Sequence, residues 1–238
     1  MKDRKDIEKR QGEATVEAFL AEADAVAPSP KRVAAAKGRL VFALDATMSR
    51  QPTWDLACGV QGGMFETAAS IGGLAVQLIF FRGFRECRAS RWVADPTALT
   101  DLMTRISCRG GQTQIERVLS HIRKGVRETR IDAFVYVGDA MEEDADALCA
   151  IAGELGALGV KGFIFQEGGD PMAEATFREI ARLTGGAFER FDGSAPDALA
   201  ALLRAAAAYA SGGSRALERL ATKDAGARRL LGSMRPST

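Results

Sequence analysis

Six short segments rich in apolar or β-branched residues recur along the chain, and they constrain its fold more than any other feature. Four of them are nearly continuous apolar runs, which are typical of strands covered on both faces in a parallel sheet. The segment CRASRWV, from Cys87, alternates apolar and polar residues instead, as exposed edge strands do. The other predicted strands are RLVFAL from Arg39, LAVQLIFF from Leu74, DAFVYVG from Asp132, VKGFIF from Val160 and GAFERF from Gly186.

Helical patterns fill the intervals between these predicted strands. Apolar residues recur at helical spacing in 99–106 and 115–122, and residues 142–157 are rich in Ala and Leu. Residues 171–184 end at a Gly-Gly pair suited to a helix C-cap. The alternation predicts an α/β fold, a doubly wound, mostly parallel six-stranded sheet flanked by helices, similar to Rossmann folds.

Changes in composition divide the chain into three parts. Residues 1–37 are predicted to hold an amphipathic helix and an APSP linker, and residues 38–211 carry the strand–helix alternation. Residues 212–238 form a basic tail. We interpret this tail as a solvated arm, or alternatively as a helix that docks a partner. Its leucines favour the second interpretation: Leu217, Leu220, Leu230 and Leu231.

The overall charge excludes partners that are recognised by bulk charge alone. The formal net charge is +1, so neither nucleic acid nor a membrane surface is an expected partner. The start of the chain is too polar for a signal peptide, and no apolar run reaches the roughly 20 residues of a membrane helix. We therefore expect a cytoplasmic protein whose four cysteines are free thiols.

Polar side chains follow two of the predicted strands, where ligands bind in open parallel sheets. Asp45, Thr47 and Ser49 alternate directly after the first strand, and Asp139 follows the strand FVYVG. Thr113 lies in a Gly-rich loop before a helix. Carboxylates and hydroxyls together make the set of hard oxygen ligands that Mg²⁺ prefers. The five residues are therefore candidate metal ligands.

These segments resemble a known family. DATMS resembles the DxSxS motif of von Willebrand factor A (VWA) domains, whose metal-ion-dependent adhesion site (MIDAS) binds partners. GGQT is similar to the threonine loop of that family, and GDAM to its later aspartate loop. FREIARLTGGAFERF is similar to its closing helix and last strand, so the resemblance covers residues 38–210. Thr47 replaces a serine but keeps the hydroxyl, and Gly138 stands where many members carry Thr or Ser.

The resemblance implies a bacterial, cytoplasmic VWA domain with one antiparallel edge strand. Thr47, Ser49 and Thr113 would coordinate Mg²⁺, or Mn²⁺ or Ca²⁺, directly, and Asp45 and Asp139 would do so directly or through water. An Asp or Glu of a partner protein would fill the open position. The family implies a non-enzymatic module within a multiprotein assembly, with an ATPase as one candidate component.

Alternatives stay open for the whole chain and for single residues. The segment VGDAMEEDADAL also resembles haloacid-dehalogenase phosphatases, but Thr47 stands where such enzymes carry a second aspartate. A nucleic-acid adaptor acting through the tail is the third function considered. Asp45, Thr47 and Ser49 are also ordinary turn residues, and Thr113 is a suitable helix N-cap. Residues 142–144 are interpreted as the solvated first turn of a helix, and the alternative is that their charges contribute to the electric field of the site.

Overall fold

A six-stranded sheet forms the centre of the protein. Its strands are β1 (Gly38–Asp45), β2 (Leu74–Arg82), β3 (Glu86–Val93), β4 (Ala133–Gly138), β5 (Lys161–Glu167) and β6 (Ala187–Phe191). Across the sheet they lie in the order β3-β2-β1-β4-β5-β6. It is seen in a computed structural model that describes residues 30–193 and 196–234. Every neighbouring pair is parallel except β2 and β3, which are antiparallel. This confirms the predicted sheet and its antiparallel edge strand.

Helices cover both faces of this sheet. The helices are α1 (Pro30–Ala35), α2 (Gln51–Val60), α3 (Gly62–Ala69), α4 (Pro96–Thr104), α5 (Ile115–Gly125), α6 (Ala145–Ala157), α7 (Pro171–Thr184), α8 (Pro196–Ala221) and α9 (Ala225–Met234). On one face, a buried apolar cluster joins the sheet to α2, α3, α4, α8 and α9. On the other face, a second cluster joins it to α5, α6 and α7. Among the described residues, none of the helices combines the length and apolarity needed to span a membrane.

Strand β1 shows why its sequence is an unbroken apolar run. Leu40, Phe42 and Leu44 point into the cluster on one face, whereas Val41 and Ala43 point into the other. All five side chains are buried. Successive side chains of a strand face opposite sides, so a strand between two helical layers needs apolar residues at every position.

The connections place the end of β1 at a topological switch point. The chain passes from β1 to β2 and β3 on one side of the sheet, and then crosses to β4 on the other side. The helices that follow neighbouring strands β1 and β4 therefore depart to opposite faces and leave a crevice at the carboxyl ends of these strands. The loops after Asp45 and after Gly138 border this crevice.

The C-terminal residues complete the fold, and this corrects the interpretation of the tail as a solvated arm. Helix α8 bends at Gly212 and Gly213, where Gly213 has a φ of 64° that favours glycine. Beyond the bend, Leu217 and Leu230 are fully buried in the cluster that covers the sheet. The leucines that suggested a partner-docking helix are thus used within the chain. The amphipathic helix predicted near the N-terminus lies outside the described residues.

Candidate functional site

The loop after β1 folds back tightly on the end of that strand. Asp45 Oδ1 accepts a hydrogen bond from the backbone N–H of Thr47 at 2.7 Å. A single 3₁₀ turn, Met48–Arg50, follows, and Thr47 Oγ1 lies 3.5 Å from Ser49 Oγ. Asp45 and Thr47 are buried, whereas Ser49 is exposed. The turn interpretation of Asp45 therefore holds, and the same turn aims two hydroxyls in one direction.

The carboxyl group of Asp45 is the buried charge of this loop. Burial raises its pKa from 3.8 to about 6, and the hydrogen bonds from Thr47 lower it only in part. The negative charge of Asp139 raises this pKa further, while Arg50 lowers it. A buried carboxylate with so little compensation is stabilised by a nearby cation. The electrostatics of the loop therefore fit a bound metal ion.

Backbone contacts hold the loop of Thr113 against two neighbours, the loop after β1 and the turn between β2 and β3. The N–H of Arg109 donates to the carbonyl oxygen of Ala46 at 3.0 Å. Gly111 packs directly on the backbone of Gly83, where a Cβ atom would lie 2.3 Å from the nitrogen. The loop can approach this closely only because residue 111 has no side chain.

Thr113 does not cap helix α5, in contrast to the alternative considered from the sequence. The N-cap position is Gln114, whose side chain makes no capping hydrogen bond. Glu143 caps the helix instead: its carboxylate accepts from the N–H of Ile115 at 2.7 Å and from that of Glu116 at 2.9 Å. The hydroxyl of Thr113 is thus not used to satisfy the helix end.

Asp139 leaves β4 beside the loop that follows β1. Its Oδ2 lies 3.3 Å from Arg50 Nε. Arg50 also pairs with Glu167, which accepts a hydrogen bond from Thr53 as well. One largely buried guanidinium therefore lies between the carboxylates of Asp139 and Glu167, and it compensates part of the negative charge at this sheet edge.

The side chains predicted as ligands line one cavity of about 310 Å³. Asp45, Thr47, Ser49, Thr113 and Asp139 all belong to its wall, together with Met48, Gly110, Gly111, Ala140 and Glu142. The tertiary structure has brought together residues from three separate loops. Cation binding in this cavity stays a prediction.

Glu142 is a residue of this cavity that the sequence analysis did not place among the candidate ligands. Helix α6 begins only at Ala145, with Asp144 as its N-cap, so Glu142 and Glu143 precede the helix and do not form its solvated first turn. Glu142 Oε2 accepts from the hydroxyl of Thr113 at 2.8 Å and from its N–H at 3.0 Å. The only signal in the sequence was the position of Glu142 shortly after Asp139.

The donor set suits a hard cation held largely by hydroxyls and water. In residues 30–193 and 196–234, no three His, Cys, Asp or Glu side chains converge as a ready-made metal cluster. The oxygens of Thr47, Ser49 and Thr113 could hold the ion, and Asp45 and Asp139 could contribute directly or through bridging water. Mg²⁺ usually keeps several waters, which agrees with such a site.

Nothing in the site supports the phosphatase alternative. Thr47 occupies the position where that chemistry needs a general acid. Cys108 near the loop is buried, and burial raises the pKa of its thiol to about 11, so it is not an activated nucleophile.

Comparison with solved structures supports the VWA fold. No model of a protein family matches the sequence, and no curated protein matches it either. The structure is similar to a von Willebrand factor type A protein from Catenulispora acidiphila (17% identity, TM-score 0.59), covering 74% of this chain and 43% of that one. It is similar to the SpRpn10 VWA domain (11% identity, TM-score 0.55, 74% and 97% covered). It is also similar to the pilus adhesin SpaC from Lactobacillus rhamnosus GG (11% identity, TM-score 0.57, 72% and 30% covered).

Proposed function

We propose that this chain is a metal-dependent protein interaction module of the MIDAS type. The observation that carries the proposal is the single cavity lined by Asp45, Thr47, Ser49, Thr113 and Asp139. The cavity lies at the switch point of a doubly wound sheet, where such folds bind ligands. The VWA fold of the neighbours is consistent with an interaction role, and one of those neighbours is an adhesin.

The expected cation is Mg²⁺, with Mn²⁺ or Ca²⁺ as substitutes. Hydroxyl and carboxylate oxygens would hold it, and a carboxylate of a partner protein would complete its coordination. Among unmodified side chains, a carboxylate is the strongest oxygen ligand that a partner can offer to such an ion at neutral pH, because it carries a full negative charge. The partner's binding segment is therefore proposed to expose an Asp or Glu.

The proposed role is non-enzymatic. The cavity combines hydroxyl and carboxylate oxygens, but its wall contains no histidine, cysteine or lysine, on which the nucleophile and base pairs of hydrolases commonly depend. We place the module within a multiprotein assembly of the bacterial cytoplasm, with an ATPase as one candidate component.

Calorimetric titration of chelator-stripped protein with Mg²⁺ and Mn²⁺ tests the proposal. Wild type is compared with Asp45→Asn and Ser49→Ala, and with Asp132→Asn as a matched control. Ser49 is exposed, so its substitution removes a ligand without emptying the core. Asp132 accepts from the N–H of Arg39, at the opposite end of β1 from Asp45.

We expect wild type and Asp132→Asn to bind the ions alike, and both site variants to bind at least about tenfold more weakly. A blocked Gly-Asp-Gly peptide should then bind the metal-loaded protein better than Gly-Asn-Gly. Absence of metal binding in the wild type, or equal binding by Asp45→Asn, would refute the proposed function.

A further inference from the structure

Glu142 supplies the cavity with a carboxylate of its own. It lines the cavity beside Thr113 and Asp139, although it is exposed and lies outside any helix. The N-terminal capping of α6 does not require it, because Asp144 caps that helix. We infer that Glu142 is the resident competitor of the metal site: it occupies, in the free protein, the place that a partner's carboxylate must take.

The contacts between Glu142 and Thr113 carry this inference. Glu142 Oε2 lies 2.8 Å from Thr113 Oγ1 and accepts its proton, and the N–H of Glu142 donates back to the same hydroxyl at 3.3 Å. Oxygen ligands on neighbouring corners of a magnesium octahedron lie roughly 3 Å apart, because each is about 2.1 Å from the ion. The carboxylate of Glu142 is thus already at the spacing of a ligand adjacent to Thr113.

The charge balance points in the same direction. Asp45, Asp139 and Glu142 carry three negative charges in the cavity wall, and the one positive charge beside them, on Arg50, is shared between Asp139 and Glu167. A divalent cation therefore meets at least its own charge in carboxylates of this chain, without any partner. A partner's carboxylate would add a negative charge next to Glu142, so it binds well only when Glu142 swings away.

The arrangement predicts that loss of the Glu142 charge changes the affinities for the cation and for a partner's carboxylate in opposite directions. A purely structural role of Glu142 would not produce this result. Removing the charge of Glu142 weakens the attraction for the cation and removes the repulsion of the incoming carboxylate. The inference rests on the proposed function, since it concerns the same cation, and it defines a partner whose acidic residue outcompetes an internal glutamate.

The test compares wild type with Glu142→Gln and Glu143→Gln by calorimetry. Glutamine at 142 keeps an oxygen that can accept from Thr113 but has no charge. Glu143→Gln is the matched control, because it makes the same charge change one residue away, at the N-terminus of α5 and outside the cavity wall. Each protein is titrated with Mg²⁺ alone and then, at saturating Mg²⁺, with the blocked Gly-Asp-Gly peptide.

For Glu142→Gln we expect Mg²⁺ to bind roughly tenfold more weakly and the peptide roughly tenfold more tightly, because a nearby unit charge changes affinities by at least this factor at partly solvated sites. Glu143→Gln should change neither affinity by more than about twofold. Unchanged or weaker peptide binding by Glu142→Gln, in protein that binds Mg²⁺, would overturn the inference while the proposed function stands. Failure of the wild type to bind Mg²⁺ would refute both.

Discussion

Replacing Asp45 by Asn should make the metal-free protein more stable at neutral pH. Asp45 is only 4% exposed, and its pKa of about 6 lies well above the 3.8 of a solvated carboxyl. One pKa unit corresponds to 1.36 kcal/mol, so ionising Asp45 costs the fold about 3 kcal/mol at pH 7. Asparagine keeps an oxygen for the N–H of Thr47 and carries no charge. We expect a gain of about 1–3 kcal/mol in the free energy of unfolding.

The raised pKa of Asp45 also determines how the stability of the wild type changes with pH. Because the pKa of Asp45 is higher in the folded state, that state holds more protons between about pH 4 and pH 6 than the unfolded chain does. Stability attributable to Asp45 is therefore present below pH 4 and is lost as the pH rises towards 6. The stability of Asp45→Asn should lack this decline, so the two proteins should have similar stability near pH 4.

Urea denaturation in the presence of chelator, from pH 4 to pH 8, measures the effect. Asp132→Asn is the control, because this carboxyl lies at the other end of β1. Saturating Mg²⁺ should reverse the order at pH 7, since only the wild type binds the ion strongly. Our reasoning would be refuted if metal-free Asp45→Asn were less stable than the wild type at pH 7, or if the difference did not depend on pH.

Two further substitutions test how the site and the tail are built. Gly111→Ala should lower the free energy of unfolding by about 1–3 kcal/mol and weaken Mg²⁺ binding, because its Cβ would lie 2.3 Å from the Gly83 nitrogen. Gly110→Ala, whose Cβ meets nothing within 4 Å, should leave the free energy of unfolding unchanged in urea denaturation. Leu230→Ala should lower the free energy of unfolding by about 2–5 kcal/mol, because Leu230 is fully buried, whereas exposed Leu158→Ala should change it by less than about 0.5 kcal/mol. Equal stability of the two leucine variants would contradict the packing of the tail.

The strands could be predicted because the residue pattern that specifies each strand lies within the strand itself. A strand between two helical layers must be apolar at every position, as residues 40–44 are, and this leaves a direct trace in the sequence. The edge strand that starts near Cys87 was equally visible, since its alternation reflects one covered face. Predicted and observed strand limits therefore differ by only a residue or two.

The tail and the two glutamates were interpreted wrongly because their environment is not local. Leu217 and Leu230 show an apolar helix face, but the sequence does not state whether that face packs on the chain itself or on a partner. Glu142 and Glu143 have the composition of a helix N-terminus. Their partners, Thr113 and Ile115, lie 29 and 28 residues away along the chain.

The sequence by itself determined the order of strands and helices, and it singled out Asp45, Thr47, Ser49, Thr113 and Asp139 as candidate oxygen ligands. Only the tertiary structure decided that these loops meet and that Glu142 shares their cavity. The physical reason is that periodicity and propensity act over a few residues. The pairing of β1 with β4, by contrast, is set by the free energy of burying both faces of the whole sheet.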